Sequence, residues 1–584
     1  MRAALGGQSA AEQLRGPVLE AIPTVSAWER ELAALDVEAA RRLIARADAV
    51  RAHRFDLLGS GPTDLGVEID WQRDFKSGRS WPLEHISRVP ISFADASDIK
   101  VPWELSRFQH APVLAAAWRV SGQRAYLDEL GAQLTHWIDH NPVEFGANWL
   151  VTMDVAIRAA NWVAALSLCA EGAAGEPWFE RALSSLLLHG RFIRSHLEHA
   201  DVRGNHYLSD VVGLLPVAAL FSASREGGRW VDWAVRELVT EMEHQVRPDG
   251  CDHEASISYH RLVCEEFVCG TQAAEALTPG RLPPSHHERL ERMLHFVTDY
   301  TRPDGLAPQI GDADDGRFLP LGDYGSDPRS HLHLHRQAGA SKPSRVARHA
   351  AYRAGGYYVM RSGELYAIVR CGDTGLGGRG GHSHNDQLSF ELASGREPLV
   401  IDPGAYLYTA DPAARNEFRS TAFHSTLRIG GAEQNDLDRD LFALPDRTRA
   451  EALQWLPRAA GATFVGRHHG FEALDPPALH TRRFELDGTR TTLTIVDTVE
   501  TAAEHDLEWT FPLAPCRARA DRGMAQAEFE TSRLLVEAKG LDFTVERGWY
   551  SPSYGVRVRT PFIKARRRAR AGVDVTELRL RLEH

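Results

Sequence analysis

The chain has 584 residues, 43% of them hydrophobic and 25% charged, the balance of a soluble globular protein of roughly two to four domains. A net charge of −12, with no basic run longer than Arg566-Arg567-Arg568, argues against nucleic-acid binding but allows a locally basic cleft. The six cysteines form no C-x-x-C pair and read as reduced core residues, which excludes a disulfide framework and a cysteine zinc site.

Residues 1–14 lack the apolar core of a signal peptide, and no stretch reads as a membrane span. A cytoplasmic location is therefore expected, or a periplasmic or secreted one if a signal has been trimmed. From Val101 to His140, Leu105, Phe108, Ala111, Leu114, Ala115 and Trp118 recur at helical spacing, with a kink or restart expected at Pro112. The same texture returns over Trp149–Cys169, Pro177–Leu197, Asn205–Phe221 and Trp230–Val246, predicting stacked helical hairpins. A basic, Ala-rich stretch, Lys342–Arg353, reads as a linker. Beyond Gly355 the pattern alternates and is rich in β-branched and aromatic residues, as in Tyr357–Arg361, Leu365–Val369 and Thr491–Val496. The expected division is a helical domain over 1–345 and an antiparallel β-sandwich or pair of sheets over 346–581. Residues 582–584, Leu-Glu-His, resemble an expression-tag remnant.

Five segments place Gly beside polar residues at expected loop or helix ends. They are Arg203–Tyr207, Asp249–His260, Ile310–Arg317, Gly380–Asp386 and Ile401–Tyr406 running on to Thr426. If His382, His384 and Asp386 lie on an extended strand leading into Gln387–Leu392, they share one face. Two histidines so placed suit a metal, or a metal and a substrate side by side, with Asp402 and His424 as the natural further ligands of a tetrahedral zinc.

These motifs, in this order, resemble the heparinase II/III-like polysaccharide lyases, a family that includes oligoalginate lyases. The resemblance is carried by Trp103-Glu104-Leu105-Ser106-Arg107, Asn141-Pro142, Gly146-Ala147-Asn148-Trp149 and Arg158. It continues through Asn205-His206, Glu254 with Tyr259-His260, and Gly311-Asp312 with Asp314. His382-x-His384, Asp402-Pro403-Gly404 and His424 complete it. The family often has Asn-Thr after the late histidine, where Ser425-Thr426 stands here.

The resemblance implies an incomplete (α/α) toroid followed by an antiparallel β-sandwich, with the cleft between them. It implies that Tyr259, His382, Asn205 and His206 are catalytic, and that His384, Asp402 and His424 hold a mainly structural Zn2+. The reaction it implies is β-elimination on a uronate-containing poly- or oligosaccharide. Elimination needs a neutraliser for the C5 carboxylate, a base for the C5 proton and an acid for the leaving O4. Asn205 and an imidazolium at His206 suit the first role, with Arg203 as a third donor. Tyr259, its pKa lowered by cationic or donor neighbours, suits the base and acid roles, and His382 is the second candidate base. Tyr259 acting alone gives syn elimination; His382 and Tyr259 together give anti.

Blander readings stand beside these. Asn205 is also a good helix N-cap, and Tyr259 could cap a helix or fill the interior. Of Trp103, Trp149 and Trp162, Trp149 is the best candidate for stacking on sugar, beside Asn148. Arg107 and Arg158 suit either substrate or buried ion pairs, with ion pairing favoured for Arg107. The acidic loop Asp312–Asp315 reads as structural, pairing Arg317. Glu254 is a substrate contact or, with Asp312 or Asp314, one of the two carboxylates of a glycoside hydrolase. A non-catalytic polysaccharide-binding protein is the third reading. The expected partner is an acidic polysaccharide; nucleic acid is excluded, and a homodimer is left open.

Overall fold

The computed structural model describes Leu14, Val18 and residues 22–339, 345–437 and 440–583. Its first half is built from helices of two kinds. Ala111–Ser121, Thr152–Ala173, Asn205–Leu220 and Ile257–Leu277 are buried on all sides over most of their length. Ala125–His140, Pro177–Ser195, Arg225–Gln245 and Pro284–Tyr300 bury only a stripe, as Leu186, His189, Gly190 and Ile193 do on the second. The two kinds alternate along the chain. Each buried helix packs on the next buried one, and the striped helices clad the outside. This is the incomplete (α/α) toroid. At Gly213 a Cβ would lie 2.6 Å from the Ala156 carbonyl oxygen, so glycine there lets two inner helices close together.

Pro112 sits in the first turn of Ala111–Ser121, so the long periodic run restarts at Pro112. One expectation needs correction. Thr152–Ala173 is apolar and long enough to cross a membrane, yet all of its apolar window lies inside the toroid. Being apolar on every side is what an inner helix of a large domain requires.

The second half holds two antiparallel sheets. The smaller takes His349–Tyr352, Tyr357–Ser362, Leu365–Arg370, Phe390–Ser394 and Glu397–Val400 in chain order. Both of its faces are buried. Tyr357, Val359, Tyr366 and Ile368 join the helical core, while Tyr358, Met360, Ala367 and Val369 join the core shared with the larger sheet. The larger sheet has ten strands between 427 and 583, and strands such as Ala478–Asp487 alternate buried with part-exposed residues.

The expected linker is shorter than the sequence suggests. Residues 340–344 lie outside the described residues, and His349–Tyr352 is already a strand. Residues 582 and 583 extend the last strand. Leu582 pairs with Leu534 and Glu583 with Arg533, and Leu582 is buried; residue 584 lies outside the described residues.

The halves meet where the hairpin of Arg533–Ser553 and Val556–Arg568 inserts its tip. Tyr554 Oη donates to Asp98 Oδ2 (2.7 Å) and Tyr554 N to Asp315 Oδ2 (2.8 Å), both on the helical half. Gly555 N donates to the carbonyl of Tyr406 (2.8 Å), on the sheet half.

Candidate active site

Two inner helices begin at the rim of the toroid that faces the sheets. Asn205–Leu220 starts after Gly204, where a Cβ would come within 2.6 Å of Glu254 Oε1. Ile257–Leu277 starts at Ser256, whose Oγ accepts from Tyr259 N (3.2 Å) and donates to the Asp312 carbonyl (2.6 Å). Asn205 is therefore the first helical residue and not the cap. Its main-chain N donates to Glu254 Oε1 (2.6 Å) and its Nδ2 to both Glu254 oxygens (3.0 and 2.9 Å).

Residues 381–386 form an irregular loop, and the strand starts only at Phe390. His382 and His384 nonetheless converge, because both meet one carboxylate. His382 Nδ1 lies 3.0 Å from Asp312 Oδ2, and His384 Nε2 lies 3.0 Å from Asp312 Oδ1. Arg415 closes the same carboxylate with two hydrogen bonds of 2.9 and 2.8 Å. Burial opposes ionisation of Asp312, but Arg415 and the two imidazoles outweigh it and hold its carboxyl well below the usual range. Asp386 does not join the histidines' group.

The rings of Tyr259 and His382 stack with centroids 3.6 Å apart at 17°. On its other nitrogen, His382 Nε2 lies 3.4 Å from Glu254 Oε2, which ties the pair to Asn205. Tyr259 Oη donates to Asp314 Oδ2 (3.2 Å) and lies 3.5 Å from Tyr408 Oη; Lys100 Nζ binds the same Asp314 oxygen at 2.8 Å. The expected lowering of the Tyr259 pKa is not met. Burial, then Asp314 and Asp312, push it well above the usual range, so the resting side chain is a neutral phenol.

His206 stands on the open side of this cluster, half-exposed, with Nδ1 3.0 Å from Glu198 Oε1. Packing around the ring opposes the charge, but Glu198 prevails and raises the pKa to about 9, making His206 an imidazolium at neutral pH.

His384, Asp402 and His424 are buried and bring their ligand atoms within 4.8 Å of one another. His384 Nδ1 and His424 Nε2 are buried with no hydrogen-bond partner, while their other nitrogens are held by Asp312 and by Asp402 (2.9 Å). The unpartnered His384 Nδ1, with His424 Nδ1 and the Asp402 carboxylate already side by side, fits a tetrahedral zinc with one open position.

Of the four expected substrate contacts, two are buried core and two are engaged by neighbouring side chains. Asn148 and Trp149 are buried core: Asn148 Nδ2 donates to the Trp71 carbonyl and to Asn141, and Trp149 Nε1 donates to the Asn141 carbonyl. Arg203 is engaged by Glu241 (2.8 Å). Glu254 is 1% exposed, accepts from Asn205 with both oxygens and lies 3.4 Å from His382 Nε2, so it positions both residues. Trp162 is core, and Trp103 donates to the Ala147 carbonyl. Arg107 makes the expected buried ion pairs, with Asp154 and Glu104, while Arg158 lies against the Trp137 and Trp149 rings. Arg317 pairs with Glu265 (2.9 Å) and not with the acidic loop. Sequence reasoning missed Lys100, Tyr408 and Arg415. Lys100 stands three residues before the Trp103–Arg107 segment, and Tyr408 two after Tyr406, but Arg415, in the short helix Pro412–Phe418, carries no local signal.

The comparisons with known proteins agree with this architecture. Residues 16–319 match the heparinase II/III N-terminus family and residues 344–572 the heparinase II/III-like C-terminal family. A heparin-sulfate lyase of Bacteroides stercoris is 21% identical over 542 residues, covering 85% of this chain and 74% of that protein. The crystal structure of heparinase III superposes with a TM-score of 0.72 at 17% identity, over 94% of this chain and 85% of that one. A Streptomyces coelicolor chondroitin AC lyase in complex with chondroitin sulphate gives a TM-score of 0.57 at 13% identity, over 98% and 82%. At such identities the superpositions speak to the fold alone.

Proposed function

Since the chain belongs to the heparinase II/III-like family, matched over most of its length, we propose that it is a polysaccharide lyase that cleaves a uronate-containing poly- or oligosaccharide by β-elimination. The relatives' names, heparin-sulfate lyase and chondroitin AC lyase, point to an acidic glycan. The observation that carries the reading is the stack of Tyr259 on His382 beside the helix end bearing Asn205 and the charged His206.

The geometry supports the following roles. His206, with the N-terminal end of its helix behind it, neutralises the uronate carboxylate, which acidifies the C5 proton. Asn205, gripped by Glu254, is held in place beside it. His382 takes the C5 proton, the C–H electrons form the C4–C5 double bond, and the C4–O4 bond breaks. Tyr259, a phenol in the resting state, protonates the departing oxygen. Asp312, itself clamped by Arg415, holds the His382 ring through Nδ1 and so turns Nε2 toward Glu254 and Asn205.

Zinc is the proposed ion for His384, Asp402 and His424; when bound it would supply a cross-link between the loop bearing His382 and the segments bearing Asp402 and His424.

Hydrolysis fits less well. Asp312 and Asp314 are both held well below the usual carboxylate range despite burial, by Arg415 and by Lys100 respectively, and neither can keep the proton a general acid must deliver.

The test is incubation with a panel of uronate polymers and oligomers, following ultraviolet absorbance from the new conjugated double bond. The expected outcome is a signal that Tyr259→Phe abolishes. Reducing ends released without that absorbance would replace the reading with hydrolysis.

A further inference from the structure

The hairpin whose tip is clamped between the two halves carries a second cluster farther along its strands. Trp549 pairs across the hairpin with Arg559; Arg547 and Arg557 stand two residues away on their own strands, on the same face. The Arg559 guanidinium lies 3.6 Å from the centre of the Trp549 ring. Arg557 lies 4.4 Å from that ring and 4.6 Å from the ring of Tyr406, so it touches both aromatics. All three arginines are exposed, and among the described residues none has a carboxylate partner. The contrast with the conspicuous basic run on the same strand is informative. Arg566, Arg567 and Arg568 are neutralised by Glu508, Asp574 and Glu504.

The cluster is continuous with the active site. Tyr406 stands two residues before Tyr408, whose hydroxyl is 3.5 Å from that of Tyr259, and the Tyr406 carbonyl holds the hairpin tip. We propose that Arg557 and Arg559, ordered by Trp549 and Tyr406, form an accessory subsite that binds acidic groups of the polysaccharide strand as it leaves the cleft. This rests on the lyase reading. Stacking fixes each guanidinium plane before the ligand arrives, so little freedom is lost on binding, and the N–H edges remain available for a bidentate hold on carboxylate or sulfate. Their Cα positions are about 7 Å apart along the strand, and two guanidiniums give a polymer with regularly spaced charges two points of attachment.

The test compares wild type with Arg557→Ala/Arg559→Ala, after thermal unfolding has shown both equally folded. Binding of heparan sulfate and of hyaluronan is measured by calorimetry, and turnover on each polymer and on a tetrasaccharide cut from it by ultraviolet absorbance. The expected result is roughly tenfold weaker polymer binding and a matching rise in KM, with kcat and tetrasaccharide turnover unchanged. Loss on both polymers identifies carboxylate as the group held; loss on heparan sulfate alone identifies sulfate. Arg557→Lys/Arg559→Lys, which keeps charge but not the planar stack, should fall between. Equal binding by wild type and the alanine variant on both polymers, or an equal rise in KM on the tetrasaccharide, overturns the subsite. A wild type that forms no unsaturated product overturns the lyase reading instead, while the binding comparison still decides the subsite.

Discussion

Asp312 is the residue on which the site turns. One buried carboxylate holds His382, His384 and Arg415, linking the proposed base to the proposed metal ligands. Asp312→Asn keeps the size but removes the charge, leaving Arg415 buried without its counter-ion. Breaking a buried pair in this way costs about 3–5 kcal/mol, so denaturant unfolding should show a loss of that order, with kcat falling as His382 loses its orienting acceptor. A stable, fully active variant would show that Arg415 and the histidines are held by something else. His206 gives a prediction in pH. Its folded pKa, about 9, lies above the ordinary histidine value of 6.5. The stability from its pairing with Glu198 is therefore complete below about 6.5 and lost as pH rises through about 9. Since the ring is half-exposed, that contribution is small, and the clearer signal is kinetic. KM for an acidic substrate should climb as pH passes about 9, and His206→Ala should start from the higher KM and lack that climb. Of the residues expected at the site, those in segments with a chemical pattern of their own were legible: Asn205-His206, Tyr259, His382-x-His384. Asn148 and Trp149 misled because a Gly-bounded Asn-Trp reads as a loop, whereas both side chains spend their hydrogen bonds inside the toroid. Arg415 could not be read at all, since its partner lies 103 residues away.

At the scale of elements, the five-stranded sheet joins the two halves because its strands Tyr357–Ser362 and Leu365–Arg370 send apolar side chains into the cores on both faces. The alternation expected of Leu365–Val369 is not met, since every residue of the strand is buried and its period leaves no polar mark. The helices were more legible. Their stripes or all-round apolarity give both the element and its layer, although the boundaries moved by a few residues, as where Trp149–Cys169 became Thr152–Ala173. A sheet buried on two sides should couple the two cores. Ile368 faces the helical core and Phe390 the sandwich core, and both are fully or nearly fully buried. Ile368→Ala should cost about 2–5 kcal/mol and Phe390→Ala about 3–5 kcal/mol, and each should lower a single shared unfolding transition seen by calorimetry. Two separate transitions, with only one moved by each variant, would show that the sheet belongs to one half alone.

At the scale of the whole molecule, the site exists only where the halves meet. The toroid supplies Asn205, His206, Tyr259 and the Asp312 loop; the sheets supply His382, His384, Asp402, Tyr408 and His424. Beside the apolar face that the five-stranded sheet lends to the helical core, polar contacts hold this junction around the site, among them Asp312 to His382 and His384, Tyr554 to Asp98 and Asp315, and Arg302 to Glu391 at 3.1 Å. A zinc at His384, Asp402 and His424 sits one side chain from that seam, because Asp312 of the toroid binds the far nitrogen of His384. Zinc should therefore stabilise more than its own loop. Protein dialysed against a chelator should unfold at a lower temperature, recover on addition of one equivalent of zinc, and contain about one zinc per chain by elemental analysis when replete. His424→Ala should bind no zinc and should unfold at the same temperature with or without chelator. The orphaned His384 Nδ1 explains the direction of the effect, since without an ion it keeps the cost of a buried, unpaired nitrogen. A replete protein free of metal, with an unfolding temperature indifferent to chelator, would mean that these side chains are satisfied without an ion and that the seam does not depend on one.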